Sequence, residues 1–250
     1  MGSEKYSDSL RNKRVVITGG ASGIGLATAI RFAKEGSTVT ILDNNVDQLH
    51  STLKEYPLIA HGVIVDVSNP NEVKHAFEEI DSLTNGVDIL IANAGVSVRA
   101  NFIDITPEQW RKVLGINLDG IFYTSQEAAK RMLSQGEGVI LMTASTNGLV
   151  GHPYYADYNA SKAGVNLLAR TMALELAPMI RVNTICPGYV LTPMQKAEYT
   201  PEMLKKVDEK IPLKRHALPE EVANLYAFLA SKEAAYITGQ HFPIDGGELA

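Results

Sequence analysis

Tyr158 and Lys162 stand four residues apart in the run Tyr158-Asn159-Ala160-Ser161-Lys162. On a helix that spacing puts both side chains on one face, within reach of the same small molecule. A free phenol has a pKa of about 10 and carries protons poorly near neutrality. An ammonium beside it favours the phenolate and eases proton exchange with an alcohol or a ketone. The chain has 10 Tyr, and an isolated Tyr-x-x-x-Lys reads equally well as an exposed Tyr beside a solvated Lys. The surrounding elements decide between these readings.

The first of them is a glycine turn. Arg14-Val15-Val16-Ile17-Thr18 is a β-branched run that reads as a buried strand. Gly19-Gly20-Ala21-Ser22-Gly23-Ile24-Gly25 follows, and then a stretch of good helix formers from Leu26 to Glu35. Strand, glycine turn and helix make the first unit of a dinucleotide site. The glycines allow a tight turn and close approach to a pyrophosphate, and the helix N-terminus offers free N–H groups and a positive dipole end. The spacing of Gly19, Gly23 and Gly25 is G-x-x-x-G-x-G rather than the commoner G-x-G-x-x-G. A second strand over residues 38–42 ends at Asp43, about 20 residues past the turn, where a carboxylate can bind ribose hydroxyls. It would repel a 2′-phosphate, and Asn44, Asn45 and Ser22 offer no positive charge to attract one. NAD is therefore expected over NADP; the alternative is a solvated acid at a strand end.

The 250 residues, 45% hydrophobic, suffice for one sizeable domain spanning 1–250. The net charge is −5, and Lys and Arg are scattered, so no nucleic-acid footprint is expected. Residues 1–9 are polar and carry no apolar signal region, and Gly2 fails the myristoylation pattern because Tyr6 stands at the sixth place. No apolar run reaches membrane-spanning length, so a cytoplasmic protein is expected. The lone Cys186 reads as a small buried residue, and the six His show no metal-ligand spacing.

Further strands are predicted over 60–65, 87–92, 138–143, 180–186 and 240–244, with helices over 71–83, from Pro107 to Asn117, and over 118–133, 155–176 and 220–229. This alternation predicts a single α/β domain: a Rossmann-type, doubly wound parallel sheet of about seven strands with helices on both faces. Ligands of such sheets sit beyond the strand C-terminal ends. Asp43, Asp66, Asn93, Ser145 and Pro187-Gly188 all follow strands and should gather along that edge.

In these motifs the chain resembles the classical short-chain dehydrogenase/reductase family along essentially its whole length. Thr18-Gly19-x-x-x-Gly23-x-Gly25 matches its cofactor motif, Asn93-Ala94-Gly95 its central strand motif, and Pro187-Gly188 with Thr192 its nicotinamide-side loop. Asn117, Ser145, Tyr158 and Lys162 match its catalytic tetrad. The resemblance implies that Tyr158 is the general acid/base, that Lys162 stabilises the phenolate and binds the nicotinamide ribose, and that Ser145 bonds the reacting oxygen. Asn117 would hold a water linking Lys162 to solvent. Asp66 and Val67 would bracket the adenine, and Thr192 would reach the carboxamide. Ser22, Ile24 and Val190 complete the implied cofactor set. Each has a plainer reading: Ser145 as a turn residue, Asn117 as a helix-junction cap, Asn93 as a brace between strands, Asp66 as a strand-end acid, Thr192 as a helix N-cap.

For the substrate, position suggests Ser145, Asn147, His152, Tyr155, Tyr158, Tyr189 and Met194, with Val96, Ser97, Val98 and Thr146 nearby. The mix of polar groups suits a polyol, sugar or cyclic alcohol better than a steroid. Residues 192–212 read as a short helical lid. Three functions compete. The first is an NAD-dependent alcohol dehydrogenase. The second is an NADPH-dependent 3-oxoacyl-carrier-protein reductase, against which stand Asp43 and the absence of a basic docking pattern in Val98-Arg99-Ala100-Asn101. The third is a dinucleotide-binding regulator without turnover, against which stands the intact Tyr158 and Lys162. The resemblance also implies a homotetramer built on the helices over 118–133 and 155–176 and the last strand.

Overall fold

In the computed structural model, residues 7–250 are described; the opening residues 1–6, including Gly2, lie outside the described residues. Seven parallel strands form one sheet in the order β3-β2-β1-β4-β5-β6-β7. They are β1 (Arg14–Thr18), β2 (Thr38–Asp43), β3 (His61–Ile64), β4 (Ile89–Ala92), β5 (Gly138–Thr143), β6 (Ile180–Pro187) and β7 (His241–Ile244). The reversal of strand order between β1 and β4 is the switch point where such sheets open a crevice.

The strands sort their side chains by period two, as a sheet buried on both faces requires. Val16, Leu90, Ile140 and Val182 face one core, against Phe77 of α4 (Pro70–Thr84), Ile121 of α6 (Gly120–Gln135) and Val165 of α7 (Ala156–Leu176). Val15, Ile17, Ile89 and Leu141 face the other, against Phe32 of α2 (Gly23–Lys34), Leu49 of α3 (Val46–Glu55) and Tyr226 of α10 (Pro219–Ala230). Burying an aromatic such as Phe32 or Phe77 completely contributes about 1.5–3 kcal/mol. A short α1 (Ser7–Leu10) precedes β1, and α8 (Pro193–Glu198) and α9 (Pro201–Lys210) fill residues 192–212. Thr192 and Thr200 cap these two, accepting from Gln195 N at 3.2 Å and Met203 N at 3.3 Å. Among the described residues no helix is long and apolar enough to cross a membrane.

Among the elements that differ from expectation are α1, α3 and the stretch from Pro107. The helix α3 was not foreseen: it is short and mostly polar, with only Leu49 and Thr52 buried, and it is started by Asn45 accepting from Gln48 N at 3.0 Å. The stretch from Pro107 is not two helices meeting at Asn117. It is α5 (Pro107–Leu114), one π-helical turn (Gly115–Asp119), then α6. Asn117 lies inside that turn, where the helix bulges.

Candidate active site

The glycine turn is shaped by what surrounds it. Gly19 has φ +63°, and a Cβ there would lie 2.9 Å from Ala94 Cα. A Cβ on Gly25 would lie 2.1 Å from the Gly19 carbonyl oxygen. Both positions therefore need glycine to let β1, β4 and α2 close on one another. Asn93 ties the strand ends together. Its amide donates to Thr18 O at 3.1 Å and its carbonyl oxygen accepts from Thr143 Oγ at 3.1 Å. The strand-bracing reading of Asn93 is what the geometry shows, and the residue also borders the crevice.

Asp43 closes the far side of the turn. Its two carboxylate oxygens accept from Ala21 N and Asn45 N, each at 3.1 Å. These bonds hold the carboxylate at the crevice edge beside Asn44, with Ser22 across the turn. Asp66 accepts through one oxygen from Ser68 N and Oγ, at 2.9 and 2.7 Å. That capping fixes its orientation at the same crevice.

The crevice has a volume of about 270 Å³. Of the expected cofactor residues, Gly19, Ser22, Gly23, Ile24, Asp43, Asp66, Val67, Asn93, Ala94, Gly95, Tyr158, Lys162 and Thr192 line it. Four do not. Gly25 packs behind the turn; Pro187 is the buried end of β6; Gly188 borders a separate hollow; and Val190 is buried, bridged to Ala217. The family motifs suggested Gly25, Pro187 and Gly188; in the structure Gly25 and Pro187 are packed among neighbouring elements, and Gly188 faces the hollow instead. Ile116 and Pro193 line the crevice without having been foreseen, and Val96, expected near the substrate, lines the crevice instead.

The hollow, about 80 Å³, adjoins the crevice. Ser145, Asn147, His152, Tyr155, Tyr158, Tyr189 and Met194 all line it, as do Ser97 and Thr146, whereas Val98 lines neither space. Gln195, Glu198 and Tyr199 join them from the 192–212 segment. Tyr158 and Met194 border both spaces, so the phenol stands where crevice and hollow meet.

Tyr158 and Lys162 sit one turn apart on α7. Lys162 is 2% exposed and donates to the Thr143 carbonyl at 2.8 Å. Its Nζ lies 5.6 Å from the Tyr158 ring centroid. Burial brings the Lys162 amine down to about 8. The phenol is not lowered as the pairing suggested. Burial pushes it up to about 12, against a hydrogen bond from Ser145 that favours the phenolate. The ammonium is held on Thr143 rather than on the phenol oxygen, so desolvation wins, and Tyr158 holds its proton in this state.

Ser145 Oγ accepts from Asn147 N at 3.2 Å and lies 3.4 Å from Pro187 O, which keeps the hydroxyl at the mouth of the hollow. Asn117 is fully buried. Its side chain accepts from Val96 N at 2.8 Å and donates to Val96 O at 2.9 Å and Ser161 Oγ at 3.2 Å. It thus clamps the loop after β4 onto α7. Thr192 is an N-cap, as its plainer reading held, and also borders the crevice.

These residues fit a nicotinamide dinucleotide. The glycine cradle admits a pyrophosphate at backbone distance, the N-terminus of α2 carries a positive dipole end, and Asp43 offers oxygens to ribose hydroxyls. The comparisons agree. The family model described as enoyl-(acyl carrier protein) reductase matches residues 19–248. The 3-oxoacyl-[acyl-carrier-protein] reductase FabG of Thermotoga maritima is 39% identical over 95% of this chain and 98% of its own. The meso-2,3-butanediol dehydrogenase of Serratia marcescens is 38% identical over 96% of this chain and 95% of its own. The crystal structure of a short-chain type dehydrogenase/reductase from Mycobacterium marinum superposes with a TM-score of 0.92 at 33% identity, covering 99% of this chain and 100% of that one. The chain belongs to the classical short-chain dehydrogenase/reductase family, and it is an oxidoreductase of that family.

Proposed function

We propose that the protein is an NAD-dependent oxidoreductase acting on a secondary alcohol or its ketone, with a polyol, sugar or cyclic alcohol as substrate. The observation that carries this reading is the place of Tyr158, which borders both the crevice and the hollow. A proton carrier at that junction can serve a carbinol held in the hollow while its carbon faces the crevice. The nicotinamide, when bound, supplies hydride chemistry. Tyr158 gives a proton to the ketone oxygen or takes one from the alcohol. Lys162 supplies positive charge that favours the phenolate, and Ser145 orients the reacting oxygen and supports its developing charge. Asn117 sets the loop that carries Gly95 and Val96 and serves the proton relay beside Lys162. Asp43 with Asn44, Asn45 and Ser22 supports NAD, since a 2′-phosphate would meet a fixed carboxylate and no cation.

Residues 192–212 act as the lid of this single domain, and the chain works in the cytoplasm as a homotetramer. Leu167 and Leu174 on α7 are 66% and 84% exposed, and Phe122 on α6 is also exposed, which supports pairing through those helices. A second reading, an NADPH-dependent 3-oxoacyl-carrier-protein reductase, is favoured by the likeness to the Thermotoga maritima enzyme. One paired assay separates them: NAD+ reduction with secondary alcohols against NADPH oxidation with an acetoacetyl thioester. Faster thioester reduction with NADPH would overturn the first reading.

A further inference from the structure

Buried polar atoms without a partner collect around the hollow. Gln195 Nε2, Glu198 Oε1, His152 Nε2 and Glu248 Oε2 have no hydrogen-bond partner among the described residues. Elsewhere among those residues only Thr40, Ser125 and His216 carry such a side-chain atom. Leaving a buried polar group unsatisfied is costly and rare in folded proteins, so four in one place call for a common explanation.

The four fall into two pairs. Gln195 and Glu198 are three residues apart on α8 and both line the hollow. The second carboxylate oxygen of Glu198 is already held by the Tyr155 hydroxyl at 3.0 Å. His152 lines the hollow too, and its Nε2 lies 3.9 Å from Glu248 Oε1. Glu248 comes from the C-terminal tail, which is turned by Asp245 accepting from Gly247 N and Leu249 N. Its free oxygen would lie 2.7 Å from a Cβ on Gly188, a residue of the hollow's wall.

Each pair combines a carboxylate with a nitrogen-bearing side chain. The Gln195 amide nitrogen only donates and the carboxylate only accepts, while the His152 ring nitrogen does either according to tautomer. A hydroxyl both donates and accepts, so one hydroxyl satisfies both members of a pair. An ammonium satisfies only the acceptors. A carboxylate or phosphate satisfies only the donors, and it meets two acids.

We infer that the substrate is an uncharged polyhydroxy compound. Gln195 with Glu198 reads one hydroxyl, and His152 with Glu248 reads another, both beside the carbinol served by Tyr158. Glu198 and Glu248 are thereby specificity residues that reject anions. This rests on the alcohol-dehydrogenase reading above and narrows it, excluding simple cyclic alcohols.

The test is a four-carbon series under NAD+: 3-hydroxybutyrate, 2-butanol, 2,3-butanediol and erythritol. The expected kcat/KM rises in that order, with erythritol at least about tenfold above 2-butanol, because a site built for hydroxyls penalises their loss. Glu198→Gln and Glu248→Gln should each raise the ratio of 3-hydroxybutyrate to 2-butanol turnover and lower that of erythritol to 2-butanol. Equal or better turnover of 2-butanol than of erythritol, or a preference for 3-hydroxybutyrate, overturns the inference while the dehydrogenase reading stands. The same order with NADP+ instead corrects the cofactor and upholds the inference. No turnover of any of the four with either cofactor overturns both.

Discussion

Lys162 Nζ is fastened to the main-chain carbonyl of Thr143 at 2.8 Å, a bond that pins α7 to the C-terminal end of β5. The ammonium is thereby fixed within 5.6 Å of the Tyr158 ring and almost wholly removed from water.

That burial makes folding stability depend on pH. Desolvation brings Lys162 from 10.5 in its ordinary state down to about 8 in the folded protein. Between those values the unfolded chain binds a proton that the folded chain does not, so stability rises with pH across the window. The rise attributable to Lys162 is on the order of 3 kcal/mol, taking 1.36 kcal/mol per unit. Lys162→Met should lack it. Denaturant titrations of both proteins near pH 7 and pH 10 should show the stability difference between them shifting toward the wild type as pH rises. Parallel behaviour would mean that the amine is not desolvated.

Tyr158→Phe removes the proton carrier and leaves the ring packed against Tyr155, 6.3 Å away between centroids. We expect kcat to fall by about 10²–10⁴-fold, the range of general acid–base catalysis. NADH affinity, followed by fluorescence, should change far less. A kcat within a few-fold of wild type would remove Tyr158 from the chemistry.

Asn93→Ala should cost about 1–3 kcal/mol, because it strips hydrogen bonds from Thr18 O and Thr143 Oγ at the point where three strands end. Equilibrium denaturation reads this directly. An unchanged midpoint would show that the strand ends hold without it.

Much of the site is legible in the chain because it depends on local chemistry. Gly19 and Gly25 are glycine since no side chain fits between β1, β4 and α2. Tyr158 and Lys162 keep helical spacing, and Asp43 sits where its strand must end. The π-helical turn around Asn117 is not legible: it arises from bonds to Val96 and Ser161, 21 and 44 residues away. Gln195, Glu198 and Glu248 were missed for the same reason. Gln195 and Glu198 line the hollow from α8, and Glu248 of the tail lies against Gly188 of its wall, positions that depend on tertiary packing. The phenol pKa was misjudged in sign, because spacing reveals the cation but not the burial that outweighs it.

The most direct measurement is a binding titration of NADH and NADPH against wild type and Asp43→Ala. With Asp43 held by Ala21 N and Asn45 N at the crevice edge, NADH should bind wild type at least about tenfold more tightly than NADPH, consistent with a like-charge penalty of 1.4 kcal/mol or more. Asp43→Ala should erase that gap. Wild type binding NADPH as tightly as NADH, or more so, would contradict the assignment and make the ketone-reductase reading the leading one.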